Sequence, residues 1–229
     1  MYESSKLIGI VVALPEERVA LVKRLKQVKR RVVDGIPLYG GILEDRQVCV
    51  VEGGMGTAAA IRATRLLLAE TRPCLVLSAG FCGAIRPGPQ VADLVISKRL
   101  LVLDEQGQHE ISQPGAELTA ARLSAELQHR GIRTWQGSFI TASGIITKAT
   151  VAETLPADLP TPVLEMESAA VARTAMAAGV PFLGLRAISD DAAEELDFSL
   201  DELTDNQLRI SILRDRKSTR LNSSHRIRS

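Results

Sequence analysis

The chain has 229 residues, 45% of them hydrophobic and 24% charged, a make-up that buries a full core and fits one globular domain. Its 28 basic and 27 acidic residues nearly cancel, yet six of the basic ones and a single acid fall from Arg214 onward. The body before them is mildly acidic, which argues against a nucleic-acid surface. Cys49, Cys74 and Cys82 stand in apolar surroundings without paired spacing, so neither a disulfide framework nor a zinc site is expected, and the chain reads as a reduced, cytoplasmic protein.

In chain order, LIGIVVAL is an apolar run of eight residues followed at once by PEER, too short for a signal peptide or membrane span and of the right length for a buried strand. Pro15 with two acids behind it opens a helix predicted to run to about Arg30. Turn signals at Asp34-Gly35 and Glu44-Asp45 divide RRVV, IPLYGGIL and RQVCVVEG into hairpin strands. Gly53-Gly54-Met55-Gly56 introduces the helical spacing of TAAAIRATRLLLAE, and PCLVLSAGFCGAI follows as a strand ending in small residues. ADLVISKRLLVL predicts a strand, ELTAARLSAELQHRG a helix closed by Gly131, and TWQGSFITASGII a strand running into a loop. A helix is predicted from Glu165 to about Ala178 with Gly179 just past it, then PFLGLRAISDD as a strand ending in acids. Alternating strands and helices predict a three-layer α/β/α domain around a central mixed twisted sheet over residues 1–213. The segment 214–229, rich in Ser and Arg, reads as a disordered basic tail. Its KSTRLNSSH stretch resembles translated vector sequence, so the domain is expected to lack its closing C-terminal helix.

In open α/β sheets, ligands lie beyond the carboxyl ends of the strands. That places Glu16 and Glu17, the glycines at 53, 54 and 56, the SAGFCG and ASGII loops, Glu165 to Glu167, and Ser189 to Asp191 on a candidate rim. The three histidines, His109, His129 and His225, fall in polar segments away from it, which disfavours a Ser-His-Asp hydrolase or a histidine-bound metal. Acids in the first turn of a helix also serve its dipole, and a lone Met166 serves as core filler. Glu165 and Glu167 are different, because apolar sequence flanks them on both sides and buried carboxylates require partners. GMGTAA has the form of a dinucleotide loop, but the following strand ends without the acid that binds a ribose hydroxyl.

Together, GIVVALPEE, EGGMGTAAA, SAGFCGAI, LEMESAAVA and LRAISDDA resemble, in order, the nucleoside phosphorylase and nucleosidase superfamily, over about Leu7 to Asp191. The methylthioadenosine/S-adenosylhomocysteine nucleosidase branch is the most similar. The resemblance implies cleavage of a purine N-glycosidic bond, with adenine released from a 5′-substituted adenosine by hydrolysis. It implies no metal or cofactor, a small-molecule nucleoside as partner, no membrane or nucleic acid, and a homodimer.

By the same resemblance Glu17 activates the attacking water and Asp190 protonates or hydrogen-bonds nitrogen 7 of the base. Glu167 binds the ribose hydroxyls, Met166 packs on the sugar, and Glu165 belongs to the same segment. Gly80, Phe81, Ile145 and Ile146 line the base region, with Ser189 and Arg186 positioning Asp190. Two departures bear on these roles. Ala142 to Ile146 lacks the Asp and the aromatic residue of the nucleosidase purine loop, which bears on base specificity. Ser78 and Phe81 stand where phosphorylases carry an arginine and a serine for phosphate, which favours water as nucleophile. Two alternatives remain at this point: a phosphate-dependent enzyme of the adenosylhopane-processing type, and a non-catalytic nucleoside-binding protein, against which the presence of both Glu17 and Asp190 counts.

Overall fold

The computed structural model describes residues 7–193, so the tail and the expected loss of a closing helix lie outside the described residues. Within them the order is β1 (Ile8–Val12), α1 (Pro15–Val22), β2 (Lys26–Val33), β3 (Ile36–Leu43), β4 (Arg46–Glu52), α2 (Thr57–Thr71), β5 (Leu75–Ala84), β6 (Leu94–Asp104), β7 (Gly107–Ile111), α3 (Ala116–His129), β8 (Thr134–Ala142), α4 (Lys148–Thr154), β9 (Pro162–Glu165), α5 (Ser168–Ala177) and β10 (Phe182–Asp190).

One mixed sheet runs β10-β6-β8-β9-β5-β1-β4-β3-β2, with β7 pairing the later part of β6, Leu100 to Asp104, beyond the stretch that β10 pairs. β10 also pairs in parallel with β5, so β5, β9, β8, β6 and β10 close into a ring, from which β1, β4, β3 and β2 extend as an open wing. β1 is buried on both faces, which is why it reads as an unbroken apolar run and not as an alternation. Val11 packs with Ala60, Ala63 and Leu67 of α2 and Ala170, Val171 and Ala175 of α5. Ile10 and Val12 face the other way, toward Leu21 and Val22 of α1. On that second side Ala120, Leu123 and Leu127 of α3 cover Ile96, Leu77 and Leu183. The three layers expected from the sequence are thus present. Among the described residues no helix is long and apolar enough to cross a membrane.

Three local differences have physical reasons. The helix expected to reach Arg30 stops at Val22, because Lys26–Val33 is claimed by the hairpin with β3. Asp34 and Gly35, at φ 50° and 78°, form a turn whose two positive φ values match the twist of paired strands. The strand so made is exposed and basic, which protects a sheet edge from further pairing. The helix expected at Glu165 starts at Ser168, because Pro162 to Glu165 pairs with β8, where Thr141 faces Glu165. β7, α4 and β9 carry too little periodicity to be read in advance; α4 has only seven residues.

Candidate active site

The Gly80 to Gly83 stretch of β5 is the seam on which the candidate residues meet. Its parallel register with β10 sets Arg186 beside Gly80 and Asp190 beside Gly83, while β9 crosses antiparallel with Leu164 opposite Gly83. A Cβ at Gly80 would collide with the Glu17 carboxylate and the Arg186 guanidinium, and one at Gly83 would lie 2.6 Å from Asp190 Oδ2. Glycine at these positions lets side chains from two other elements close over the strand.

Of the adjacent acids in α1, Glu16 is exposed and Glu17 is only 5% exposed. Glu17 Oε2 accepts the Ala13 and Leu14 N–H groups, each at 2.9 Å, which satisfies free donors at the helix start. Its Oε1 accepts the Phe81 N–H at 2.8 Å. A carboxylate offers about four acceptor positions, so Glu17 retains one, on Oε1.

Glu165 and Glu167 differ by the same count. Glu165 Oε2 accepts the N–H groups of Glu167 (2.9 Å) and Ser168 (2.7 Å), capping α5 from the end of β9, and also Arg186 Nη2 at 2.7 Å. Its Oε1 accepts the Thr141 hydroxyl, so its acceptor positions are spent on the protein. Glu167, the N-cap of α5, accepts the Gly56 N–H at 2.9 Å on Oε1 and Arg186 Nη2 at 3.3 Å on Oε2. It therefore has acceptor capacity left for hydroxyl groups. Gly56 can present that N–H because its φ of 85° is one that side-chain-bearing residues avoid. Burial pushes the Glu167 carboxyl above the usual carboxylate range; Arg186 and the Gly56 N–H oppose that rise, and Glu165 and Glu17 add to it.

Arg186 is the cation of this cluster and is fully buried. Its Nη2 lies at 3.1 Å from both Ser78 Oγ and Ser168 Oγ, besides the two glutamates, and its Nη1 is 3.4 Å from the Phe81 carbonyl. Burial works against the charge, but Glu165, Glu167 and Glu17 outweigh it and hold the guanidinium above its ordinary value. Arg186 thus bonds the glutamates, where the sequence reading had it positioning Asp190.

Asp190, buried at the end of β10, accepts the Ser189 hydroxyl on Oδ1 and the Lys148 ammonium on Oδ2, both at 2.6 Å. Ser189 Oγ also lies 3.2 Å from the Cys82 carbonyl, which ties it to β5. Met166 and Phe81 are half-buried, Ile146 packs against the core under α4, and Ile145 is 52% exposed. Burial pushes the Cys82 thiol well up, so it is inert as a nucleophile.

Three partners escaped the sequence reading. Thr141 and Ser168 carry no signal beyond their neighbours, and Lys148 sits in the otherwise uncharged run GIITKAT as a lysine that spacing alone assigns to solvent.

Comparison with known proteins matches the chain to the Phosphorylase superfamily over residues 7–213. It is 27% identical over 207 residues to a 5′-methylthioadenosine/S-adenosylhomocysteine nucleosidase of Staphylococcus aureus, covering 85% of this chain and 91% of that protein. The nucleosidase of Neisseria meningitidis, solved with methylthio-immucillin-A, superposes with a TM-score of 0.71 at 24% identity, over 86% of this chain and 91% of that one. The nucleosidase of Colwellia psychrerythraea, solved with adenine, gives a TM-score of 0.71 at 23% identity, over 84% and 86%. The family match spans nearly all of the chain, including every element of the sheet, both glutamate clusters and Asp190: the chain belongs to the Phosphorylase superfamily.

Proposed function

We propose that this protein hydrolyses the N-glycosidic bond of a 5′-substituted adenosine of the methylthioadenosine/S-adenosylhomocysteine type, releasing adenine. The observation that carries water as nucleophile is the charge of the buried cluster: Glu17, Glu165 and Glu167 surround one cation, Arg186. A phosphate dianion needs several charge-assisted donors, and Arg186 Nη2 is already committed to carboxylates and serine hydroxyls. Its buried Nε, without an acceptor among the described residues, is a single N–H, enough to orient a water or a sugar oxygen and too little to clamp a dianion.

The roles follow from the remaining acceptors. Glu17, held by three backbone N–H groups, takes a proton from water on Oε1 as the oxygen attacks C1′. Glu167 receives the vicinal hydroxyls and stabilises the positive charge that develops on the sugar. Glu165, its acceptors spent, fixes Arg186 and the start of α5. Asp190 bonds the departing base at nitrogen 7. Met166 and Phe81 offer apolar surface to sugar and base, and Ile145 and Ile146 flank the base. A homodimeric, cytoplasmic enzyme belongs to the same reading, the exposed Ile145 being surface for a partner subunit or substrate to cover.

The test is adenine release from 5′-methylthioadenosine in phosphate-free buffer. Wild type is expected to turn over, and Glu17→Gln and Asp190→Asn each to lose roughly 100- to 10,000-fold in kcat. Variants as active as wild type would remove both assignments.

A further inference from the structure

The proposed reaction needs a proton for the leaving base, and the group assigned to deliver it is found as half of an ion pair. Lys148 Nζ lies 2.6 Å from Asp190 Oδ2, with the two side chains only 6% and 3% exposed. Burying an ammonium and a carboxylate together carries a desolvation cost that their attraction only offsets, so an apolar pair of the same volume would serve packing at least as well. The surroundings are built for this pair. Gly83 leaves the space it occupies, since a Cβ there would lie 3.2 Å from Lys148 Cδ as well as against Asp190. Lys148 also donates to the Asp191 carbonyl, fixing the ammonium at the mouth of β10. Thr147 caps α4 by accepting the Thr150 N–H and so sets the backbone from which Lys148 projects.

We propose that Lys148 is a positioning residue that holds the transferable proton for Asp190, an inference that rests on the adenine-releasing function proposed above. The other donor bonded to Asp190 among the described residues, the Ser189 hydroxyl, is far too weak an acid to supply it. As the C1′–N9 bond breaks, its electron pair leaves with the base. Asp190 passes a proton to nitrogen 7 and takes one from Lys148 Nζ, leaving a neutral amine beside the carboxylate. The attacking water loses its proton to Glu17. After release, Glu17 returns that proton to solvent and Lys148 regains one, so that nucleoside and water become adenine and free sugar with no net change in the protein.

The test uses the full chain and adenine release from 5′-methylthioadenosine, with kcat and KM for wild type, Lys148→Ala and Lys148→Arg, and Lys148→Ala repeated with methylammonium or tetramethylammonium. The alanine variant is expected to lose about 100-fold in kcat. Arginine, which retains the charge and does not give up its proton, should leave kcat equally low. Methylammonium should restore the alanine variant, and tetramethylammonium, a cation with no proton to give, should not. Across primary ammoniums of similar size the rescued kcat should rise as the ammonium becomes more acidic, a slope that a lysine acting only through packing or charge does not produce, and a flat series overturns the proposal. The proposal is overturned if the alanine variant stays within about tenfold of wild type, if arginine restores turnover, if neither cation rescues, or if both do. A wild type that releases no adenine removes the proposed function itself, and this inference with it.

Discussion

Glu16 and Glu17 are neighbours of one chemical type, and their fates are set by where a helical turn points them. Glu17 folds back over the start of α1 to meet Phe81 in β5, while Glu16 stays in solvent. A resemblance of motifs selected Glu17, whereas periodicity alone left the two equivalent. Glu165 and Glu167 were legible as buried acids needing partners, but their division of labour depends on contacts that no spacing reveals: the Thr141 hydroxyl, the start of α5 and Arg186. Lys148 was illegible because a lysine's burial depends on what closes over it, here Asp190 at the end of a strand distant in sequence. The raised Glu167 pKa has a measurable sign. A carboxyl whose folded value lies above its unfolded one favours folding below the unfolded value, and that contribution is lost as pH rises through the folded value. Glu167→Gln removes this penalty, so its melting temperature relative to wild type is expected to climb as pH increases from the ordinary carboxylate range toward neutrality. A difference constant with pH, measured by calorimetry, would contradict the rise caused by burial.

At the scale of elements, the long apolar strands and the two longest helices were legible because their periods are unambiguous. β1, β5, β6, β8 and β10 and helices α2 and α3 lie where the pattern puts them. Errors fell where local pattern competed with distant pairing. α1 gave up its expected last turns to β2, and α5 yielded its expected first turn to β9. The contact between α2 and α5 over β1 is the packing that holds the Gly56 N–H and the Glu167 carboxylate together, since each lies at the start of one of these helices. Leu67 is fully buried at its centre. Leu67→Ala is expected to cost about 2–5 kcal/mol in a denaturant melt, through lost burial and the cavity left behind. A loss below about 1 kcal/mol would show that the two helices collapse around the gap, contrary to a rigid seat for the site.

For the whole molecule, the three-layer architecture followed from alternating elements, but the closure of five strands into a ring did not. That closure requires β10 to pair with both β5 and β6, which depends on sheet twist and register and on nothing readable within one strand. It matters for function because it carries Arg186 and Asp190 along one strand across Gly80 and Gly83, joining the glutamate cluster to the Asp190–Lys148 pair. The resulting surplus of buried carboxylates is the property on which hydrolysis, as opposed to phosphorolysis, rests. The most direct measurement is adenine release from 5′-methylthioadenosine across a phosphate titration, with free sugar followed by proton NMR and any sugar 1-phosphate by phosphorus NMR. Turnover without phosphate, a rate that phosphate does not raise, and free sugar as product are expected. Turnover only with phosphate, yielding a sugar 1-phosphate, would contradict hydrolysis.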